Sequence, residues 1–507
     1  MMIKEKIEKV LGRKITLVHP KDLKNGDYTL IADIGTAEED FKKLEASKLE
    51  EIERIEFIKP RFINFYLSKE FFKESLNKVV EKGAEFGKGE HAKGFKVMVE
   101  HTQPNPFKTF HIGHMMNNTI GESLSRIMAA NGAEVKTASY HGDIGMHVAK
   151  ALWKGDYALG AKEFEEDPQA KAEIQEINRK IYDKSDPEIN KKYEEGRKKS
   201  LEEFEKIYDK LGSKFDYHFF ESESGEVGKK IVLENIGKIF EESEGAVVYK
   251  GEKVGLHTRV FLNSDKLPTY EAKEVGLAKL KTDKYAFDHS LTITGNEQDA
   301  FFQVVEAAIG EVFQNLNKKL KHLGHGMLRL PTGKMSSRTG DVITAEGLIE
   351  EVKGKVKGDE QVAIGAIKYM ILRSNVGSDI IFDIDKSVAI EGDSGVYLQY
   401  AHARANSILE KAGRKGDASG ERAITHEVER LLYRFPEIVE RAGQEYAPNY
   451  ITTYLTELAS SFNNFYAHEQ VLEDSPESAY RLAIVEAFKI VMKNGLTILG
   501  IPAPERM

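Results

Sequence analysis

The sequence contains no cysteine. Disulfides, a thiolate nucleophile and cysteine-ligated zinc are therefore excluded. Long apolar runs are missing as well, and nothing approaches the roughly 18 residues that a membrane-spanning helix needs. Met1 to Lys14 alternates charges with single apolar side chains and lacks the apolar core of a signal peptide. The expectation is a soluble, cytoplasmic protein without membrane contact. An excess of positive charge is also lacking: 73 Lys and Arg stand against 82 Asp and Glu, a formal charge of −9. A protein that simply coats nucleic acid would be basic overall. Any nucleic-acid contact must then come from a local, shaped surface. No internal repeat or low-complexity tract is visible.

What is present is a chain of 507 residues, 41% hydrophobic and 31% charged. That length suits about three domains, each with its own core. Residues 1 to about 90 combine a helical start with strand-like runs at Ile55–Ile58 and Ile63–Leu67, and a Lys/Gly-rich linker follows near Lys88–Gly94. Val97-Met98-Val99-Glu100 is a short apolar run of the kind a buried parallel strand shows. Ile112, Met116, Ile120, Leu124 and Ile127 recur at helical spacing until Asn131-Gly132, and Val135 to Tyr140 is strand-like again. Strand, helix and strand in that order build a doubly wound sheet.

Lys154 to Tyr208 is mostly Lys and Glu and reads as solvated helices inserted into the sheet domain. Strand-like runs resume at Leu256–Leu262 and Leu291–Thr294. From about Ala363 the periodicity is helical, over Tyr397–Leu409, Glu427–Arg441, Tyr450–His468 and Tyr480–Leu499. The expected fold is α/β. An N-terminal α+β domain (about 1–90) precedes a Rossmann-like doubly wound parallel sheet (about 91–390, helical insertion at about 150–225), and an α-helical bundle (about 391–507) closes the chain.

Two segments carry chemistry. His111-Ile112-Gly113-His114 sits between the first strand and its helix. A helix N-terminus offers unpaired N–H groups and partial positive charge to a phosphate. Gly113 admits a close ligand, and two imidazoles can donate to phosphate oxygens as charge builds. The plain alternative is a structural or metal-binding histidine pair. Gly333-Lys334-Met335-Ser336-Ser337-Arg338-Thr339-Gly340 is a cationic loop flanked by glycines. Such a loop can close over a triphosphate, its cations neutralising a leaving pyrophosphate. Its plain alternative is an exposed basic turn.

In this order the two segments resemble the His-Ile-Gly-His and Lys-Met-Ser-Lys-Ser hallmarks of class I aminoacyl-tRNA synthetases, and other segments resemble the arginyl branch. Glu100-His101-Thr102-Gln103-Pro104-Asn105, followed by Lys108 and His111, is similar to that family's Pro-Asn-x-x-Lys approach to the histidines. Thr269-Tyr270-Glu271-Ala272-Lys273-Glu274 resembles its Tyr-x-Thr-Arg-Asp segment. Tyr397 to Arg404 resembles the opening of its anticodon-binding domain, Phe62 to Phe65 the end of its N-terminal domain, and Lys493 to Ile501 its terminal helix. The chain departs from the family pattern at Ser337 and Arg338 in the loop, at Ile144 where tryptophan is usual, and at Glu274 where aspartate is usual.

The resemblance implies an ATP-dependent arginine–tRNA ligase with L-arginine, Mg2+-bound ATP and tRNA-Arg as substrates, no structural metal and a monomeric state. It implies catalysis by His111, His114, Lys334 and Arg338. It places ATP at His111, Gly113, His114, Lys334, Met335, Ser336 and Ser337. It places arginine at Glu100, Gln103, Asn105, His114, Tyr270, Glu274 and Gln298, and tRNA at Tyr397, Gln399, Tyr400 and Arg404. Glu100 and Glu274 would flank the guanidinium, which carboxylates hold best in a forked pair. Tyr454 and Phe465 are further candidates for stacking on anticodon bases. The family also characteristically activates its amino acid only with tRNA bound. Rival readings are a synthetase for another amino acid, a small-molecule nucleotidyl transferase and a non-catalytic RNA-binding paralogue. A cysteinyl enzyme would want cysteine-bound zinc, and a glutamyl enzyme would want cations in place of Glu100 and Glu274.

Overall fold

The computed structural model describes residues 3–331, 343–421, 424–473 and 475–507. The N-terminal part packs three helices, α1 (Ile3–Leu11), α2 (Ala37–Ser47) and α3 (Lys69–Lys82), on an antiparallel sheet. The sheet order is β1-β2-β4-β3, from β1 (Leu17–Val18), β2 (Tyr28–Ile31), β3 (Ile52–Ile58) and β4 (Phe62–Leu67). Alternation drives the burial, with Ile63, Phe65 and Leu67 pointing into a core shared with Ile7 and Leu44. Ser68 ends β4 and caps α3 through the Phe71 N–H at 3.2 Å.

The central sheet is all parallel, in the order β12-β11-β5-β6-β7. The chain runs β5 (Lys96–Glu100), α4 (Ile112–Ala130), β6 (Glu134–His141), four inserted helices, then β7 (Tyr217–Phe220). The inserted helices are α5 (Met146–Lys154), α6 (Tyr157–Glu166), α7 (Pro168–Asp183) and α8 (Pro187–Leu211). Then follow α9 (Glu221–Glu234), a small antiparallel sheet of β8 (Glu241–Ser243), β9 (Ala246–Tyr249) and β10 (Arg259–Leu262), and α10 (Tyr270–Lys284). The parallel sheet resumes on the other side of β5 with β11 (His289–Gly295), α11 (Asp299–Val312) and β12 (Leu320–His325). The chain therefore reverses its winding beside the C-terminal end of β5, where doubly wound sheets bind ligands. Helices α9 and α10 meet at backbone contact. A Cβ on Gly228 would sit 1.8 Å from the Ala272 carbonyl oxygen, so only glycine permits this packing.

Two sequence expectations need correction here. Of Leu256–Leu262, only Arg259–Leu262 is a strand, and it belongs to the small antiparallel sheet. The parallel strands β7 and β12 were missed because each lies at an edge of the sheet. Both are half-exposed, so neither reads as an apolar run.

A short parallel pair, β13 (Leu328–Arg329) with β14 (Ile380–Ile381), brackets α12 (Ala345–Lys355) and α13 (Glu360–Leu372), and the one-turn α14 (Ile384–Ser387) follows. The C-terminal bundle comprises α15 (Gly395–Ala412), α16 (Glu427–Leu432), α17 (Phe435–Gln444), α18 (Asn449–His468) and α19 (Ser478–Ile498). The run expected as one helix over Glu427–Arg441 breaks at Tyr433-Arg434, because Pro436 starts a new helix and donates no N–H. Val99 of β5, Leu124 of α4, Tyr369 of α13 and Phe462 of α18 share one contiguous core. No helix among the described residues is long and apolar enough to cross a membrane.

Candidate active site

A cavity of about 880 Å³ opens at the C-terminal ends of β5, β6 and β11, at the point where the winding reverses. Such a volume suits an amino acid and a nucleotide together. The start of α4 forms one wall. His111 is its N-cap, in an extended conformation, and His111 Nδ1 accepts from the Gly113 N–H at 3.1 Å. His114 Nδ1 accepts from the His111 N–H at 3.2 Å. The two rings stack with centroids 3.7 Å apart. A Cβ on Gly113 would lie 2.9 Å from the His111 ring, so glycine is needed for the ring to lie over the helix start.

This geometry sets the protonation state. With Nδ1 of each ring accepting a backbone proton, the ring proton must sit on Nε2. Burial is the main cause that holds both imidazoles below their ordinary range, helped by Lys108 and, for His114, by its partner ring. Two neutral imidazoles thus present Nε2–H donors at a helix N-terminus, and both residues line the cavity.

The opposite wall comes from α9 and α10. Tyr270 opens α10 and is 65% exposed, and Glu274 lies one turn further along the same cavity wall. Glu221 at the start of α9 pairs with Lys273 at 2.5 Å, and Glu271 pairs with Arg259 at 3.1 Å. Glu274 has no ion-pair or hydrogen-bond partner among the described residues. Burial first, and the nearby Glu100 second, push its carboxyl up to about 8.

The turn after β5 forms the floor. Thr102 and Gln103 adopt φ of 76° and 49°, left-handed values that are strained for these residue types. Asn105 Oδ1 accepts from the Gly142 N–H at 3.0 Å, and His141 Nδ1–H donates to the Pro104 carbonyl at 2.8 Å. The end of β6 therefore holds the turn in place.

The structure brings Gln103, Asn105, His111, Gly113, His114, Tyr270, Glu274 and Gln298 together on the cavity lining. Glu100 is not among the lining residues. It is 1% exposed, paired with Lys281 and hydrogen-bonded by the Gln103 side-chain amide, so the expected direct grip on a guanidinium is replaced by a place behind the wall. Lys334, Met335, Ser336, Ser337 and Arg338 lie outside the described residues.

Of the four expected tRNA contacts, Tyr400 is 44% exposed and Tyr397 and Arg404 are half-buried. Gln399 requires correction. It is fully buried, and its amide donates to the Gln361 and Pro502 carbonyls at 3.2 and 2.9 Å, so it cannot reach RNA. Tyr454 and Phe465 are core residues. Tyr140, Glu221, Arg259 and His325 also line the cavity, beyond the residues expected from the sequence. Glu221 and His325 were findable in principle, as polar residues at the C-terminal ends of parallel strands.

A doubly wound sheet with a His-Ile-Gly-His crossover beside a cleft, joined to a C-terminal helical bundle, defines the class I aminoacyl-tRNA synthetases. The family described as "tRNA synthetases class I (R), catalytic domain" matches residues 75–384, and the "DALR anticodon binding domain" matches residues 398–507. The arginine–tRNA ligase of Streptococcus thermophilus is 30% identical over 96% of this chain and 92% of its own length. Two solved structures share the fold over 100% of this chain and 99% of their own. These are the arginyl-tRNA synthetases of Thermus thermophilus (TM-score 0.77, 24% identity) and Plasmodium falciparum (TM-score 0.79, 20% identity). The chain belongs to the arginyl-tRNA synthetase family.

Proposed function

We infer that the chain joins L-arginine to the 3′ end of tRNA-Arg in two steps. The arginine carboxylate attacks the α-phosphorus of Mg-ATP, giving arginyl-adenylate and pyrophosphate. The terminal ribose of tRNA then attacks the adenylate, and AMP leaves. No side chain serves as a nucleophile, so catalysis is positioning and charge stabilisation. The Nε2–H groups of His111 and His114 donate to phosphate oxygens as charge develops at the α-phosphorus. Gly113 lets the nucleotide approach the helix start. Mg2+ arrives on the triphosphate as part of the substrate. Lys334 and Arg338 neutralise the departing pyrophosphate, in the segment that also contributes Met335, Ser336 and Ser337 to ATP binding.

Arginine lies across the cavity from the helix start. Its α-amino and carboxyl ends meet Asn105, Gln298 and His114, and its guanidinium meets Glu274 beside the Tyr270 ring. Gln103 borders the same pocket from the turn after β5, and Glu100 supports it from behind. Tyr397, Tyr400 and Arg404 on α15 face the tRNA.

One observation carries the reading: a carboxyl group without a partner among the described residues, Glu274, and two neutral imidazole donors share one cavity at the switch point of the sheet. Acylation with citrulline tests it, because citrulline keeps arginine's shape and loses its charge. A site built to pair a substrate group rejects the analogue lacking it by at least about a thousandfold. Comparable charging of tRNA with both would overturn the assignment of Glu274.

A further inference from the structure

The carboxylates around the cavity are paired unequally. Glu221 has Lys273, Glu271 has Arg259 and Glu100 has Lys281, whereas Glu274 has no such partner among the described residues. Glu297 also touches the cavity but is exposed to water. Lys281 and Glu100 are both buried, 4% and 1% exposed. Lys281 stands two turns after Glu274 on α10, so the two side chains share a helix face.

We propose that Lys281 determines specificity for arginine: by occupying Glu100, it leaves Glu274 as the one partly buried carboxylate of the pocket, among the described residues, that is open to a guanidinium. This rests on the reading of the cavity given above. Once Glu274 ionises, the cavity carries a single uncompensated buried charge, which one guanidinium cancels. If Glu100 lost its charge, Lys281, which favours the ionised form of Glu274, would turn to that carboxylate and fill the place of the substrate.

A proton balance follows. Without arginine, Glu274 keeps its proton at neutral pH, because burial and Glu100 oppose ionisation. The groups facing it are Glu100 from β5, Tyr140 from β6, Glu221 from α9, and Lys281 and Glu271 from its own helix. Of these, only Lys281 favours the ionised form. A bound guanidinium also favours the carboxylate, so binding converts the carboxylic acid to a carboxylate and sends one proton to solvent. Release approaches one proton per arginine between the lowered titration of the arginine-bound carboxyl and the raised titration of the free one, and vanishes well above the latter.

Calorimetry of L-arginine binding to the full chain, in two buffers of different ionisation enthalpy, tests both parts. At pH 7 the wild type should release close to one proton per arginine, and Glu274→Gln none at whatever arginine concentration it still binds. Glu100→Gln should weaken arginine binding at least about tenfold, because it leaves Lys281 uncompensated. The double variant Glu100→Gln with Lys281→Met, which removes both charges of the pair, should return affinity to within about threefold of the wild type, since a buried pair can be replaced by neutral groups at little cost. A double variant as weak as Glu100→Gln, or more than about thirtyfold weaker than wild type, would make Glu100 itself the ligand and overturn the proposal. This comparison of double variant with wild type stands even if Glu100→Gln alone does not fold. Binding without proton release at pH 7 would overturn the proton exchange, whereas no binding of arginine at all would overturn the proposed function.

Discussion

The catalytic cavity and the seam between α15 and the C-terminal tail are built from similar side chains, with opposite results. In the cavity, His111, His114 and Asn105 each commit one atom to a backbone N–H, and their remaining polar atoms belong to residues that line open space. In the seam, Gln399, His402 and Asn406 lie at i, i+3 and i+7 along α15 and donate to the carbonyls of Pro502, Pro504 and Glu505. Gln399 Oε1 and His402 Nε2 are sealed from solvent. Residue types are alike in the two regions, and each holds a pair three residues apart on a helix, His111 with His114 and Gln399 with His402. What separates a binding site from a clamp is whether the uncommitted atom meets a cavity or packed protein.

The largest expected effect breaks the cavity side of the comparison. His114→Ala should lower the rate of adenylate formation by a factor corresponding to about 2.7–4 kcal/mol while leaving ATP affinity nearly unchanged. Single-turnover measurements read both, and intact activation by a His111→Ala, His114→Ala double variant would exclude the paired donors. On the seam side, Gln399→Leu strands the Gln361 and Pro502 carbonyls and should cost about 1–3 kcal/mol of folding stability by urea titration. Its KM for tRNA should not move below the melting temperature; a selective rise in KM would mean that Gln399 does face RNA.

A pH series sharpens the contrast at about 1.4 kcal/mol per unit. With the Glu274 carboxyl raised to about 8, the protonated form opposes arginine below that pH. The KM for arginine should therefore fall up to tenfold per unit as pH rises toward 8 and then level off. A flat profile would place the titrating group elsewhere. The smallest effect on stability belongs to Tyr400→Ala, where an exposed ring is lost. Unfolding should shift by no more than about 0.5 kcal/mol, with a severalfold rise in KM for tRNA. An unchanged KM would remove Tyr400 from the tRNA surface.

Much of this was legible in the sequence for a physical reason. In the strand–helix–strand unit over Val97–Tyr140, β5 is buried after its first residue and α4 keeps apolar side chains at helical spacing, so both leave a pattern, and the histidines fall at the break between them. Edge strands β7 and β12 carry no such signal. Pairing is the other blind spot. That Lys281 takes Glu100 depends on α10 lying alongside β5, a contact between distant parts of the chain that no local pattern encodes. The burial of Gln399 likewise depends on where the C-terminal tail returns.

The most direct test is ATP–pyrophosphate exchange by the full chain, driven in turn by each amino acid, with and without tRNA-Arg at constant salt. The account predicts exchange with arginine alone among them, strong with tRNA present and low without it. Exchange driven by another amino acid, or by none, would contradict it.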